Sequence, residues 1–331
     1  MSTPPLDPAP ILDLIEAFRR SKTMFAALEL GVFDGERPLG ADGKRPSGAE
    51  IVRLMDACVS LGLLEKRGDE YVNTPIADEY LRRSSPRSLA GYIRYSNNAL
   101  YPLWAHLEDA VREGTHRWDQ TFGTEKTGAG GLFSHFFKTE SAKRDFLMGM
   151  HGFGMLSSPK VVAAFDLSRF RRMVDLGGAT GHLALAAKDR YPGLQVALFD
   201  LPEVIEFAKS ISPDHLDFAA GDFFSDPLPP ADLYAIGRIL HDWSEDKIRL
   251  LLTRIHRALP DDGALLIAER LIYEDRGGPV GAHMQSLNML VCTEGRERTL
   301  GEYTALLREA GFATVRGSVT GAPLDAVLAE K

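Results

Sequence analysis

Cysteine is scarce in this chain, because Cys58 and Cys292 are the two present among 331 residues. Two cysteines this far apart give neither a disulfide framework nor the paired spacing of a metal site. We therefore expect a protein without a bound metal, in a reducing compartment, and we predict a cytoplasmic location.

Long apolar runs and a basic excess are also missing. No segment reaches the roughly 20 apolar residues that a membrane helix needs. The amino-terminal MSTPPLDPAP lacks the basic region and apolar core of a signal peptide. The formal net charge of −8 argues against a nucleic acid held by general electrostatics. These absences predict a soluble protein with neither a membrane nor a nucleic acid as partner.

One stretch, Arg172 to Asp200, favours a nucleoside ligand. An apolar run, Met173 to Leu176, is followed by the glycine turn Gly177–Gly181 and then by a helical pattern from His182. A second β-rich run ends at Asp200. This order predicts a strand, a glycine turn, a helix and a second strand of one parallel sheet.

The glycine spacing separates two kinds of nucleoside site. A dinucleotide fingerprint, G-x-G-x-x-G, needs glycine at 177, 179 and 182, but Ala179 and His182 occupy the last two positions. The pattern present is D-x-G-x-x-x-G: Asp175, Gly177 and Gly181. It is similar to the first motif of class I S-adenosylmethionine methyltransferases. Asp200 is placed to accept hydrogen bonds from ribose hydroxyls. The alternative is a glycine turn that only packs closely.

Strands and helices continue to alternate towards the carboxyl end. Strands are predicted over 216–220, 232–237, 264–268, 313–319 and 325–329, and helices over 202–210, 244–259 and 299–310. The last two strands are joined by Thr320–Pro323, which is too short for a parallel crossover. We therefore predict an α/β fold whose Rossmann-like sheet is mostly parallel, with an antiparallel edge.

The amino-terminal half has helical patterns instead. Helices are predicted over 11–33 and 49–61, and a hairpin over 63–73 makes the unit resemble a winged helix. Because Arg53 is the one candidate for a DNA contact in the second helix, we favour packing and dimerisation over DNA binding. The helical patterns over 89–114 and 131–165 are rich in aromatic residues and methionine, as in a core or a pocket for a flat ligand.

The predicted domain boundary lies between residues 165 and 166. Residues 1–165 would form a helical domain for dimerisation and for covering the substrate, with the winged-helix-like element. Residues 166–331 would form the domain that binds the cofactor.

A histidine follows the strand predicted over 232–237. His241 lies just past its carboxyl end, and an imidazole pKa near 6.5 leaves a neutral ring to act as a base. A phenol, with a pKa near 10, needs such a base. Glu269 and Glu297 are candidates for the carboxylate that fixes the imidazole tautomer, and the alternative for each is a salt-bridged surface acid.

Asp222 and Phe223 follow the strand predicted over 216–220. Asp222 is placed to accept a hydrogen bond from an adenine amino group, and Phe223 is placed to pack on the ring. The alternative for Asp222 is a carboxylate that only caps a turn.

Five runs of sequence make a family resemblance specific. They are DLGGATG, FDLPEVIE, GDFFSDPLPPADLY, RILHDWSEDK and MQSLNMLVCTEGRERT. Over nearly the whole chain, the sequence resembles the plant-type and acetylserotonin O-methyltransferase-like family of S-adenosylmethionine-dependent small-molecule O-methyltransferases. The resemblance implies methyl transfer from S-adenosylmethionine to a hydroxyl of a small aromatic acceptor, with S-adenosylhomocysteine as product. It also implies a homodimer in which the amino-terminal helices of one subunit close the site of the other.

Motif and resemblance together give the predicted site residues. Those expected to contact the cofactor are Asp175, Gly177, Gly181, Asp200, Leu201, Gly221, Asp222, Phe223 and Arg238. The resemblance implies that His241 is the general base and that Glu269 and Glu297 flank it. It places Asp242, Asn288 and Cys292 towards the acceptor.

Three features depart from the family pattern. Ala179 stands at the position of the middle glycine, Cys292 replaces a glutamine of acetylserotonin O-methyltransferases, and the segment after Phe33 is shorter. Because of the last two features, the identity of the methyl acceptor is not fixed by the resemblance. Two alternatives share the fold: a non-methylating enzyme, disfavoured by the presence of His241, and a degraded cofactor-binding scaffold or regulatory protein.

Overall fold

The computed structural model describes residues 6–35, 48–123, 139–211 and 216–331. The chain divides into two compact units, Met1–Asn98 and Ala99–Lys331. The predicted shortening after Phe33 falls mainly on residues 36–47, outside the described residues.

The amino-terminal unit contains helices and one hairpin. Its elements are α1 (Ala9–Glu29), α2 (Gly48–Ser60), β1 (Leu64–Arg67), β2 (Glu70–Asn73), α3 (Pro75–Tyr80) and α4 (Ala90–Tyr95). Gly31, with a φ of 72°, follows the end of α1, as predicted. The hairpin is antiparallel and pairs Leu64 with Asn73. The predicted order of helix and hairpin is thus present, and a winged-helix role stays a prediction.

The carboxyl-terminal unit is built around a seven-stranded sheet. Its strands are β3 (Arg172–Leu176), β4 (Gln195–Asp200), β5 (Asp217–Ala220), β6 (Leu233–Gly237), β7 (Ala264–Glu269), β10 (Thr314–Ser318) and β11 (Asp325–Glu330). A separate pair of short strands is β8 (Leu271–Ile272) and β9 (Arg298–Thr299). The helices are α5 (Tyr101–Trp104), α6 (Leu107–Glu113), α7 (Trp118–Phe122), α8 (Glu140–Ala163), α9 (His182–Arg190), α10 (Pro202–Ile211), α11 (Glu245–Ala258), α12 (Val280–Cys292) and α13 (Leu300–Glu309).

The strand order is β10-β11-β7-β6-β3-β4-β5. Strands β3 to β7 pair in parallel, whereas β11 is antiparallel to both β7 and β10. This confirms the predicted mostly parallel sheet with an antiparallel edge. The chain proceeds outward from β3 through β4 and β5 and then resumes on the other side at β6. Ligands of open α/β sheets bind at such a reversal, outside the carboxyl ends of the strands.

The sheet is buried on both faces. Every residue of β7 is buried, and α11 contributes the buried residues Ile248, Leu251, Leu252 and Ile255 at helical spacing. On α8, a Cβ at Gly154 would collide with the ring of His182, so the glycine lets α8 lie close against α9. Helix packing thereby fixes the glycine turn that opens α9.

The unit boundary at residues 98 and 99 lies earlier than the predicted one at 165 and 166. Two tryptophan side chains explain the difference. Nε1 of Trp104 donates to Oδ1 of Asn288 at 2.8 Å, and Nε1 of Trp118 donates to the carbonyl of Cys292 at 2.9 Å. Because both acceptors lie on α12, the segment that holds α5 to α7 belongs with the sheet. The predicted roles of the amino-terminal domain stay predictions.

The longest described helices are α8, with 24 residues, and α1, with 21. Both contain several charged side chains. Within the four described ranges, no helix is both long and apolar enough to cross a membrane.

Candidate active site

The glycine turn follows β3 at the carboxyl edge of the sheet. Gly177 and Gly181 have left-handed backbones, with φ of 67° and 78°. A Cβ on Gly181 would collide with the side chain of Leu216, so a larger residue fits neither the backbone nor the space. Ala179 is also left-handed, with a φ of 53°, which costs a non-glycine residue about 1–2 kcal/mol. Its N–H donates to Oδ2 of Asp200 at 2.8 Å, which helps to hold this conformation.

Asp200 ends β4 and faces this turn. Its Oδ1 accepts the N–H of Leu201 at 2.7 Å, while its Oδ2 holds Ala179. Burial raises the pKa of Asp200 to about 6, and these two N–H donors lower it. A carboxylate has about four lone-pair sites, so each oxygen can accept a further hydrogen bond. These free acceptor sites fit a ribose, whose two adjacent hydroxyls can donate to them.

Asp175 has a different environment from that of Asp200. It is 1% exposed, and its Oδ2 accepts the N–H of Ala184 in the first turn of α9 at 3.3 Å. Burial raises its pKa to about 7. A carboxyl group already lies under the helix N-terminus, where a dinucleotide fold binds pyrophosphate. This arrangement fits a nucleoside without a pyrophosphate.

Gly221, Asp222 and Phe223 leave β5 beside the same edge. A Cβ on Gly221 would approach the ring of Phe199 to 2.6 Å, and one on Gly177 would approach the ring of Phe223 to 3.1 Å. Phe223 therefore lies against the glycine turn, where an adenine ring was predicted. Oδ1 of Asp222 accepts the N–H of Phe224 at 2.8 Å, so this acid also shapes its own turn.

Arg238 follows β6 with a left-handed backbone, at a φ of 58°. Its N–H donates to the carbonyl of Ala268 at 3.0 Å, so the sheet pairing continues through the unusual backbone. The guanidinium carbon lies 4.6 Å from the ring centroid of Phe153, which is 8% exposed. A strained arginine beside the strand reversal is a candidate functional group.

His241 lies in a short 3-10 helix, Leu240–Asp242, just beyond β6. Its Nδ1 is 2.6 Å from Oε1 of Glu297 and 3.3 Å from Oε2 of Glu269. All three side chains are at most 2% exposed. Oε1 of Glu269 also accepts the N–H groups of Ile239 and Leu240, both at 2.9 Å, and so holds the turn itself. Both predicted carboxylates therefore face the same imidazole nitrogen, and neither is a surface acid.

The electrostatics of this cluster are those of a buried acid pair. Burial raises the pKa of Glu297 to about 8, and Arg238, Arg270 and Arg298 lower it. Burial also raises the pKa of Glu269, against the influence of His241. Burial raises the pKa of Asp242 to about 6, and its Oδ1 lies 3.6 Å from Nε2 of His241. Burial disfavours the charged forms of Glu269 and Glu297, so these two carboxyl groups compete with the imidazole of His241 for the same protons.

The same three side chains offer ligand atoms within 4.8 Å of one another, the separation of a possible metal cluster. The distance of 2.6 Å between His241 and Glu297 is that of a strong hydrogen bond. Two ligands of one metal ion, each about 2.1 Å from it, lie further apart than this in tetrahedral or octahedral geometry. The geometry favours a proton between these atoms.

The three residues predicted to face the acceptor lie close to one another. Asn288 and Cys292 are on α12 and are 7% and 1% exposed. The Cys292 thiol donates to the carbonyl of Asn288 at 2.8 Å, within its own helix. Burial raises the pKa of this thiol well above its usual range, and the charge of Asp242 raises it further.

The sequence did not reveal the partners that orient these groups. Trp104 fixes the amide of Asn288, whose Nδ2 donates one N–H to the thiol of Cys292 at 3.7 Å and has a second N–H to donate. Nδ1 of His151, on α8, lies 2.9 Å from Oγ1 of the buried Thr180 in the glycine turn. The need of an indole N–H for a hydrogen-bond acceptor is the one sequence feature that could have pointed to Trp104. The sequence does not indicate which residue provides that acceptor.

Gly295 offers a test of how tightly the histidine turn is held. A Cβ there would collide with the carbonyl oxygen of His241 and lie 2.8 Å from the carbonyl carbon of Asp242. We expect Gly295→Ala to destabilise the fold by about 1–3 kcal/mol and to lower turnover, because two backbone segments must separate. Gly193→Ala is the matched control, since nothing lies within 4 Å of a Cβ there. Chemical denaturation and turnover of both variants check this, and equal behaviour would contradict it.

The chain is similar to known proteins in both sequence and fold. A family profile described as O-methyltransferase domain matches residues 104–313. Acetylserotonin O-methyltransferase of Bos taurus is 43% identical, over 95% of this chain and 95% of the relative. The crystal structure of human N-acetylserotonin methyltransferase in complex with SAM has a TM-score of 0.91 and 41% identity, covering 100% of this chain and 99% of the other. PigF with SAH has a TM-score of 0.86 and 28% identity, covering 98% and 100%.

Proposed function

We propose that this chain, which belongs to the O-methyltransferase family and uses S-adenosylmethionine, methylates a hydroxyl group on a small aromatic acceptor of the acetylserotonin type. One observation carries the proposal for the chemistry. A buried imidazole, hydrogen-bonded through Nδ1 to Glu297, lies at the same sheet edge as the glycine turn and Asp200.

The residues of that edge suit the cofactor. Asp200 can accept hydrogen bonds from the ribose hydroxyls. Phe223 lies beside Gly177, where the adenine ring would stack, and Asp222 would accept a hydrogen bond from the adenine amino group. Leu201 and Gly221 contribute backbone beside them, and Arg238 completes the proposed set across the strand reversal. When bound, S-adenosylmethionine supplies an electrophilic methyl group on a positively charged sulfur.

The proposed reaction needs the acceptor hydroxyl to lose its proton. When Glu297 is ionised, Nδ1–H of His241 donates to it, which leaves Nε2 unprotonated to take that proton. Glu269 holds the turn through two backbone N–H groups and adds a second negative charge beside the resulting imidazolium. Burial excludes water from the base, and we propose that no metal ion takes part.

The acceptor class rests on α12 and on the relatives. Asn288, oriented by Trp104, has an amide N–H available for a polar group of the acceptor. The thiol of Cys292 donates to a carbonyl of its own helix. The glutamine of the family pattern would instead offer an amide group to the methyl acceptor. We therefore propose the acetylserotonin-like class and expect a preference within it that differs from that of the relatives.

Incubation with methyl-labelled S-adenosylmethionine and a panel of hydroxyarenes, N-acetylserotonin included, tests the function. We expect label in the methyl ether of at least one hydroxyarene, together with S-adenosylhomocysteine. Matched methoxyarenes, which lack the free hydroxyl, are the control. Binding of S-adenosylhomocysteine without any labelled product would favour a cofactor-binding scaffold instead.

We also propose a homodimer that lies in the cytoplasm. Both cysteines are free and buried, as suits a reducing compartment. Helix α1 exposes a group of apolar side chains that are 52–70% accessible: Ile11, Leu12, Leu14, Ile15 and Phe18. Such a continuous exposed patch supports burial against a second copy.

Changing this patch is expected to shift the protein to monomer. We expect the double variant Leu14→Ser, Phe18→Ser to sediment as a monomer at concentrations where the unmodified protein is a dimer, because two anchors are removed from each side. Leu250→Ser, at a residue of α11 that is 50% exposed, is the matched control and should leave the dimer intact. A monomeric unmodified protein would contradict the proposal.

A further inference from the structure

A buried arginine lies directly after the carboxylate that orients the proposed base. Arg298 is 1% exposed and begins β9, immediately after Glu297. A guanidinium keeps its charge at physiological pH, and burying a charge is costly unless opposite charge is close. Arg298 directly follows Glu297 and lowers its pKa, so an ionised Glu297 supplies opposite charge close by.

Hydrogen bonds from Arg298 join the two segments that carry the base and its partner. Nη1 donates to the carbonyl of Leu240 at 3.4 Å and to the carbonyl of Arg296 at 3.0 Å. Leu240 precedes His241, and Arg296 precedes Glu297. One side chain therefore spans the histidine turn and the glutamate loop.

The backbone holds Arg298 from both sides. Its strand pairs in parallel with β8, where Leu271 faces Arg298. The next residue, Thr299, starts α13 with a capping box, in which its N–H donates to Glu302 at 2.9 Å and its hydroxyl accepts from Glu302 at 3.1 Å. The guanidinium is consequently set in place by regular structure on either side.

The position of one proton decides whether His241 can act as a base. When Glu297 is ionised, Nδ1 keeps the hydrogen and donates it, so Nε2 is free. When Glu297 carries a proton on Oε1, it donates to Nδ1, and the neutral ring then holds its hydrogen on Nε2. In the second state the imidazole cannot take a proton from an acceptor.

We propose that Arg298 is a positioning residue for the base: its buried guanidinium fixes the histidine turn and favours the ionised form of Glu297, in which the imidazole hydrogen stays on Nδ1. This inference rests on the proposed function and deepens it. Arg298 acts through Glu297 and Leu240 and needs no contact with cofactor or acceptor.

Several charged or titratable groups act on this acid pair from the elements around it. They are His241 and Asp242 of the histidine turn, Arg238 after β6, Glu269 of β7, Arg270 after it, Arg298 of β9 and Tyr303 of α13. Arg298 also donates to the carbonyl of Leu240. Its removal therefore changes both the charge beside Glu297 and the contact that holds the histidine turn.

Three variants test this inference through the pH profile of kcat and through the tautomer. Loss of the guanidinium in Arg298→Met should favour protonated Glu297. The acid limb of kcat then moves upward by about one pH unit or more, which is about a tenfold loss at a pH on that limb. KM for the acceptor should change less than kcat, and activity should recover at high pH. Arg298→Lys keeps the charge and should shift the limb less.

Arg296→Met is the matched control, since Arg296 is two residues away and its guanidinium pairs with Glu245 and Glu302. Nitrogen-15 spectra of histidine-labelled protein report the tautomer without any need for turnover, and the loss of signals in His241→Gln identifies the ring. At a pH near the raised pKa of Glu297, about 8, we expect a larger fraction of rings with hydrogen on Nε2 in Arg298→Met than in the unmodified protein.

Folded Arg298→Met and Arg298→Lys variants with an unchanged acid limb and an unchanged tautomer would overturn the inference. Failure of the unmodified protein to methylate any hydroxyarene would count against the proposed function instead. The nitrogen spectra would still decide the role of Arg298 in that case. If Arg298→Met does not fold, Arg298→Lys carries the test: its acid limb should still lie at a higher pH than that of Arg296→Met.

Discussion

Replacing His241 by alanine is expected to lower kcat for methyl transfer by about 10²–10⁴-fold, the usual contribution of a general base. The dissociation constant of S-adenosylhomocysteine should stay within about twofold, because the proposed cofactor contacts lie on the glycine turn, at the ends of β4 and β5 and at Arg238, and the His241 side chain is not among them. Turnover with labelled cofactor and calorimetric titration measure the two quantities separately. The separation of turnover from binding is what identifies a base.

Two further variants guard against a purely structural effect. His241→Gln keeps an amide N–H near Glu297 and should be as inactive as alanine, although more stable, because the carboxyl pair keeps a donor. His256→Ala is the matched control: this histidine packs on Phe312 at a ring distance of 5.1 Å and lies on α11, away from the turn. Turnover retained in His241→Gln would contradict the base proposal.

Replacing Asp200 by alanine is expected to weaken binding of S-adenosylhomocysteine by about 100-fold. The change removes the acceptor of two ribose hydroxyls and also releases the N–H groups of Ala179 and Leu201. Hydrogen bonds to a charged group contribute about 1.5–3 kcal/mol each, so the loss of even two exceeds a factor of ten in affinity. Calorimetry at a pH above the raised pKa of Asp200, about 6, keeps the carboxylate ionised.

Asp232→Ala is the control matched to this variant. Asp232 also accepts two backbone N–H groups, from Arg171 and Arg172 at 2.8 Å each, but at the opposite end of the strands. Both alanine variants should lose stability, whereas only Asp200→Ala should lose cofactor affinity. Equal affinities in the two variants would show that Asp200 serves the turn alone.

Local sequence patterns predicted the sheet well, because they depend on neighbours in the chain. Apolar runs marked β3 to β7, and the short link Thr320–Pro323 marked the antiparallel pair of β10 and β11. The position of His241 at the carboxyl edge of the sheet could also be predicted, because it follows β6 and the carboxyl ends of parallel strands meet at one edge. Glu269 lies at that edge for the same reason.

Contacts between distant segments could not be predicted in this way. Helix α12 was not identified, since its apolar residues lie on more than one face and its N-cap, Pro279, makes no side-chain hydrogen bond. The bond from Trp104 to Asn288 joins residues 184 positions apart. Arg298 looks like a surface residue in the run EGRERT, and its burial depends on β8 and α13 packing around it. The bond from Trp118 to Cys292, which groups α7 with the sheet, also joins distant residues.

The residues with left-handed backbones show the difference between what local sequence and what distant contacts determine. Glycine at 177 and 181 indicates a left-handed backbone from the sequence alone. Ala179 and Arg238 adopt the left-handed region where hydrogen bonds to Asp200 and Ala268 hold them. Strain of this kind is retained where the surroundings fix it, often at functional sites. Both residues flank the strand reversal at which we propose the cofactor binds.

A crystal structure with S-adenosylhomocysteine and a hydroxyarene that the panel identifies as acceptor tests the central claim most directly. We expect the ribose on Asp200 and the acceptor hydroxyl about 2.6–3.2 Å from Nε2 of His241. A nucleoside bound away from Asp200, or an acceptor hydroxyl out of reach of that nitrogen, would contradict it.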